Sequence, residues 1–130
     1  MTANRTPREL IDLYWFKVWG EGDTDLLRQI CADPMVRHYP GKIVHLSLDE
    51  QVERVKTRIA EMGPRFTHEV LVCDDAYATS IWNMYTDGRY KDVCGIETFK
   101  VVDGKLAECW NLYGDALWGG PVQQVGDGKI

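Results

Sequence analysis

Nowhere in these 130 residues does an apolar run approach the roughly 20 residues that a membrane-crossing helix needs. Residues 1–5, Met1-Thr2-Ala3-Asn4-Arg5, also lack the apolar core of a secretion signal. The expected location is the cytoplasm. Basic residues are the scarcer sign, 15 Lys and Arg against 20 Asp and Glu, which leaves a net charge of −5. They form no cluster, so nucleic acid is excluded as the main partner, because phosphate binding needs concentrated positive charge. Cysteine and histidine are few and scattered. Cys31, Cys73, Cys94 and Cys109 contain no Cys-x-x-Cys pair and sit among apolar neighbours, which fits reduced core thiols rather than a disulfide framework. His38, His45 and His68 show no His-Glu-x-x-His spacing, so no metal site is expected.

A chain of this length, with 45% hydrophobic residues, suits one domain over residues 1–130 with a single core. Its elements announce themselves by their caps. Thr6-Pro7-Arg8-Glu9 combines a capping threonine, a proline suited to the first helical turn and a glutamate that closes a capping box. The helix that follows is apolar on almost every side through Trp19 and ends at Gly20 and Gly22. Asp23-Thr24-Asp25 caps a short second helix through Leu26, Leu27 and Ile30, which Asp33-Pro34 should stop. Residues 35–39 read as a short strand closed by Pro40-Gly41. Ser47-Leu48-Asp49-Glu50 is a second capping box, and Val52, Val55 and Ile59 recur on one face of the helix it opens. That helix breaks at Met62-Gly63-Pro64.

Everything beyond reads as sheet. Residues 66–73 alternate, Asp74-Asp75 turns, and strands over 77–86, 89–102 and 105–117 form a meander joined by Asp87-Gly88 and Asp103-Gly104. Residues 119–130 are polar and glycine-rich, and a flexible tail is expected there. Helices first and long antiparallel strands afterwards imply an α+β fold with a helical layer on one sheet face.

The register of the last hairpin decides which side chains can meet, since a slip of one residue moves them all to the other face. A turn with a glycine bulge pairs Val101 with Lys105, sets Glu97 opposite Cys109, and puts Gly95, Glu97, Phe99, Cys109, Asn111 and Tyr113 on one face. A two-residue turn would group Ile96, Thr98, Cys109 and Asn111 instead. The bulge is preferred because it turns Phe99 toward the helices. On that reading Ile96, Trp110 and Leu112 share the opposite face, an apolar patch of the kind that marks a partner surface.

Each polar candidate has two readings. Glu97 is either a desolvated carboxyl suited to general acid or base work or a cross-strand surface charge. His68 is either a proton shuttle or a hydrogen-bonded packing residue. Tyr39 either donates to a substrate oxygen or closes the core, and Asn111 can orient a ligand but cannot take a proton. Trp15, Trp82, Met84 and Tyr113 read as core and cavity wall, with the face of Trp82 left open because its strand is apolar on both sides.

Gly22-Asp23, Ala32-Asp33, the end of the first strand over 36–41 and Asp103-Gly104-Lys105-Leu106 with Glu108 and Trp110 together give residues 8–117 a resemblance to a superfamily. The chain resembles the nuclear-transport-factor-2-like (NTF2-like) proteins, including their SnoaL-like, ketosteroid isomerase-like and scytalone dehydratase-like branches. The resemblance implies a cone-shaped fold with three N-terminal helices packed on a curved antiparallel sheet around a pocket, a homodimer, a small-molecule substrate and no cofactor. Against ketosteroid isomerases, the proton-abstracting aspartate falls on Tyr39 and the oxyanion tyrosine on Trp15. Against SnoaL-like cyclases, the acid of the last strand falls on Asn111. Dehydratases match at their pocket histidine, His68, and their strand-one tyrosine, Tyr39. The turn over 86–92 is similar to theirs as well, while another helix-one tyrosine and aspartate fall on Trp15 and Gly20.

The implied function is a lyase or isomerase of dehydratase type acting on a cyclic, mostly apolar hydroxy- or keto-substrate. In that scheme His68, Tyr39 and Glu97 are the catalytic candidates, while Asn111, Trp15, Trp82, Met84, Phe99, Cys109 and Tyr113 hold the substrate. The alternative is a non-catalytic module that binds an apolar ligand or dimerises, favoured by the missing acid and base positions.

Overall fold

The computed structural model describes residues 4–119, so residues 120–130 of the expected tail lie outside the described residues. Both capping boxes form: the Thr6 and Ser47 side chains accept from the backbone N–H of Glu9 and Glu50, whose carboxylates bond back. Helix α1 (Pro7–Asp12) runs directly into a wider π-helical segment, Leu13–Trp19, rather than continuing as α-helix to its end. Seven residues of π-helix are long for a motif that usually appears as a single turn, and such segments favour functional sites. Here the segment carries Tyr14, Trp15, Val18 and Trp19 into the interior.

A 3₁₀ turn, Thr24–Leu26, leads into the four-residue α2 (Leu27–Ile30), with no side-chain cap from Asp23. Asp33-Pro34 does not stop this helix, because strand β1 (Cys31–Tyr39) has already begun and takes the proline in. A strand not anticipated, β2 (Lys42–Leu46), folds back on β1 around Gly41, whose φ of 76° suits a glycine turn. Helix α3 (Leu48–Met62) then crosses the sheet and ends at Gly63 in the left-handed conformation. Gln51 ties its first turn to the hairpin, donating through Nε2 to the carbonyls of Ala32 and Leu46 at 3.1 Å each.

Four strands complete the chain: β3 (Arg65–Cys73), β4 (Tyr77–Tyr85), β5 (Val93–Val102) and β6 (Lys105–Gly114). The sheet is curved and unclosed, with order β2-β1-β6-β5-β4-β3. Only the β1–β6 pairing is parallel, so the sheet is mixed rather than wholly antiparallel. The helices cover one face, as the α+β reading expects.

Two connections differ from the expected turns. Residues 86–92 form a loop rather than a tight Asp87-Gly88 hairpin, since the Thr86 N–H donates to Asp92 and the Thr86 hydroxyl to the Tyr90 carbonyl. Arg89 pins this loop to α3, bonding both Asp87 and the Ala60 carbonyl. The last hairpin closes with two residues, Asp103 and Gly104, both at positive φ, and pairs Val102 with Lys105. Its bulge comes later, at Ala107, between the pairs Val101–Leu106 and Lys100–Glu108. An extra residue anywhere before Cys109 restores the same alternation, so the expected face holds while the partners shift. Glu97 stands opposite Asn111 rather than Cys109, and Gly95 opposite Tyr113.

Gly95 on β5 stands directly opposite Trp82 on β4. A Cβ there would lie 2.2 Å from the Trp82 ring, which is itself wedged among Trp15, Phe66 and Tyr113. The indole cannot retreat. Gly95→Ala should therefore destabilise the fold by about 1–3 kcal/mol, the usual range for overpacking, read as a lower urea midpoint at unchanged slope.

Candidate functional site

The inner sheet face has a polar centre. Arg37 on β1 and Glu97 on β5 are 1% and 2% exposed, and Arg37 Nη2 donates to Glu97 Oε2 at 2.6 Å. Strand β6 lies between them and supplies Asn111, whose Nδ2 donates to the same Oε2 at 3.2 Å and to the Tyr113 hydroxyl at 3.2 Å. Burial acts against the Arg37 charge, and the Glu97 carboxylate beside it outweighs that effect, so Arg37 stays protonated. Arg37 Nε donates to the Tyr39 hydroxyl at 2.9 Å. With Oε2 doubly engaged, Oε1 is the Glu97 oxygen without a side-chain hydrogen bond among the described residues.

A cavity of about 190 Å³ opens onto this carboxylate. Helix one contributes Tyr14, Trp15 and Trp19 to its wall, α3 contributes Arg54, Arg58 and Met62, and the sheet adds Phe66, Met84, Glu97, Asn111 and Tyr113. Burial, and then the Glu97 charge, push the Tyr14 and Tyr113 phenols above their ordinary range, so both remain protonated donors at neutral pH. The indole N–H groups of Trp15 and Trp19 and Oδ1 of Asn111 are buried without a hydrogen-bond partner. An outer groove of about 320 Å³ shares Arg54, Arg58 and Tyr113 with the cavity and extends to Tyr39, Lys42, Val44 and Leu46.

The structure thus brings together part of the constellation expected from sequence. Glu97, Asn111, Trp15, Met84 and Tyr113 line the cavity. Trp82, Phe99 and Cys109 lie on the same sheet face but behind the lining, buried in the core. Tyr39 stands at the outer groove and stacks on Tyr113 at 6.2 Å. His68 is on the inner face, as expected, beside the residues that line the cavity rather than among them. Trp15 and Phe16 cover its ring at 4.9 and 5.6 Å, and Nδ1 shares a 2.6 Å hydrogen bond with Ser80. Trp15 is common to both environments, since it lines the cavity and also packs edge-on against the imidazole.

The arginines were not anticipated. Arg37 was legible, since it lies two residues from Tyr39 and Met35 on the strand and so shares their inward face. Arg54 and Arg58 are one helical turn apart on α3, beside the Val52–Val55–Ile59 stripe, where a charge is normally taken as solvated. Of the thiols expected in the core, Cys31 and Cys109 are buried and Cys73 and Cys94 are half-buried. All four are free, burial pushes Cys31 up to about 12, and it raises Cys109 as well. No group of three or more His, Cys, Asp or Glu that could hold a metal occurs among the described residues.

The SnoaL-like domain family model matches residues 13–109, which include the π-helical segment, α3, Arg37 and Glu97. Solved structures carry the same fold. A candidate ketosteroid isomerase from Kribbella flavida superposes with a TM-score of 0.73 at 16% identity, covering 95% of this chain and 93% of that one. A candidate polyketide cyclase from Acidithiobacillus ferrooxidans gives 0.69 at 20% identity, with 87% and 91% covered. A SnoaL-like polyketide cyclase from Agrobacterium tumefaciens gives 0.68 at 16%, with 85% and 92% covered. No curated protein matches the chain in sequence.

Desolvation holds His68 below its ordinary value of 6.5. The unfolded chain then binds the proton more readily than the folded one, so stability is full above that value and declines as the pH falls through it. His68→Gln should flatten the loss of urea midpoint between about pH 7.5 and about pH 5.5. An unchanged slope of midpoint against pH would show that His68 does not titrate differently on folding.

Proposed function

The chain belongs to the SnoaL-like domain family, and on that premise we propose that it transfers protons on a cyclic, mostly apolar hydroxy- or keto-compound. The reaction type is that of an isomerase, cyclase or dehydratase, carried out in the cytoplasm by the chain's own side chains. One observation carries the reading: a carboxylate 2% exposed sits in an aromatic-walled cavity with one oxygen fixed by Arg37 and Asn111. A base positioned in this way loses little orientational freedom when it reacts.

In the mechanism, Glu97 Oε1 accepts the proton from a carbon next to a carbonyl, and the electron pair moves onto the carbonyl oxygen. The protonated phenols of Tyr14 and Tyr113 can donate to that oxygen as its charge develops. Glu97 then returns the proton, either to another carbon, which isomerises the substrate, or to a departing hydroxyl, which leaves as water. His68, the base expected from the family resemblance, is given no part in this scheme because Trp15 and Phe16 stand over it. Tyr39 serves at the groove, where its hydroxyl already accepts from Arg37 and keeps its own proton to donate. A non-catalytic binding role is favoured by a different feature, the engagement of Glu97 in an ion pair that could serve the fold alone.

Deuterium uptake separates the two. Cyclic ketones and hydroxyketones that raise the melting temperature are incubated with the protein in D₂O, and exchange at the carbon next to the carbonyl is followed by NMR. The catalytic reading expects exchange that Glu97→Gln slows by about 10²–10⁴. Glu97→Asp, which keeps the charge but withdraws the carboxylate, should slow exchange too while retaining ligand binding. Ligands that bind without exchanging would leave the binding role.

We also propose that the outer face of the sheet joins two copies of the chain. Ile96, Trp110 and Leu112 lie there, with Trp110 40% and Leu112 54% exposed, beside a groove that His38 and Pro40 help to line. Sedimentation velocity should show a dimer that Leu112→Glu converts to monomer. A monomeric wild-type protein would remove this assignment.

A further inference from the structure

The chain is acidic overall, yet its cavity is not. Arg54 and Arg58 line both the inner cavity and the outer groove, and Glu97, already bridged by Arg37, is the one carboxylate in either lining. Several arginines elsewhere are matched: Arg8 pairs with Asp12, Arg28 with Asp25 and Asp49, and Arg89 with Asp87, while Arg65 lies over the Tyr85 ring. Arg54 and Arg58 have no ion-pair partner among the described residues. Arg54 is also partly buried. A guanidinium withdrawn from water without a carboxylate partner is costly, and two at one opening repel each other.

We propose that Arg54 and Arg58 form an anion subsite, and that the ligand is a ring compound carrying a carboxylate. This rests on the small-molecule reading of the cavity and sharpens it to a substrate class. The ring fits among Tyr14, Trp15, Phe66 and Met84, while the carboxylate stays at the junction of cavity and groove, where both guanidinium forks reach it. Two arginines one helical turn apart suit a carboxylate because each can present parallel N–H donors to its oxygens. The same pair sets polarity. With the carboxylate held at the α3 side, the apolar end of the ring system points inward, toward the Glu97 carboxylate. Uneven placement of this kind selects which ring carbon meets the base.

The test is calorimetric titration of the intact protein with 2-naphthoate and with its neutral isostere 2-naphthamide. Naphthoate should bind at least tenfold more tightly, and its affinity should fall as salt rises while that of the amide stays level. Arg54→Gln and Arg58→Gln should each weaken naphthoate about tenfold and leave the amide unchanged, and Arg54→Lys should recover part of the loss. Melting curves on each variant establish that it is folded. Equal affinity for acid and amide in the wild-type protein, equal loss of both in the variants, or no binding of naphthoate would each overturn the subsite. Because the readout is binding, loss of deuterium exchange with naphthoate selectivity intact sinks only the catalytic reading, and the converse result sinks only the subsite.

Discussion

Arg37 and Glu97 meet at 2.6 Å across an intervening strand, and each is almost wholly withdrawn from water. Neither charge could be buried alone, because desolvating a single ion costs several kcal/mol that only a well-placed partner offsets. The pair therefore constrains everything around it. It fixes the lateral arrangement β1–β6–β5, it draws Asn111 opposite Glu97 as a second donor to Oε2, and it takes up Tyr39 through Nε, while Arg37 Nη1 is buried without a partner. Position along β6 follows as well, since a slip of one residue would replace Asn111 by Trp110 or Leu112 on that face.

Around this polar centre the cover is aromatic. Trp15, Trp82 and Phe66 meet edge to face or tilted at 4.9 to 6.1 Å, and Gly95 on the neighbouring strand leaves the space that the Trp82 ring fills. Low polarity on those walls strengthens electrostatic interactions inside the cavity. The opposite side is cationic, where α3 brings Arg54 and Arg58 to the opening. A site with an apolar wall, a held carboxylate and a positive mouth distinguishes the two ends of a ligand.

Much of this architecture could be read from residue order. Capping boxes at Thr6 and Ser47 located two helices to within a residue, because their chemistry is local. The shared face of Glu97, Asn111 and Tyr113 was legible for a similar reason, since alternation survives wherever the bulge falls before Cys109. What sequence missed depends on distant contacts. β2 is a five-residue strand that exists through pairing with β1. The loop over 86–92 is held by α3 rather than by its Asp-Gly signal. His68 was placed on the correct face, but which inward side chains border a cavity depends on the aromatics above them, and helix one sets those. Arg37 was hidden by expectation rather than by physics: an arginine inside an apolar alternation is a buried charge seeking a partner, and Glu97, read only as a candidate acid or base, is that partner.

The claim that this ion pair is a single unit on which fold and site both depend is tested most directly by a double-mutant cycle on unfolding free energy, with Arg37→Met, Glu97→Gln and the combination. Each single replacement should lose about 3–5 kcal/mol, because it strands a buried partner. The double replacement should lose less than the sum of the two by at least about 1 kcal/mol. Losses that add to within about 0.5 kcal/mol would contradict the account, since they would mean that the two groups contribute independently.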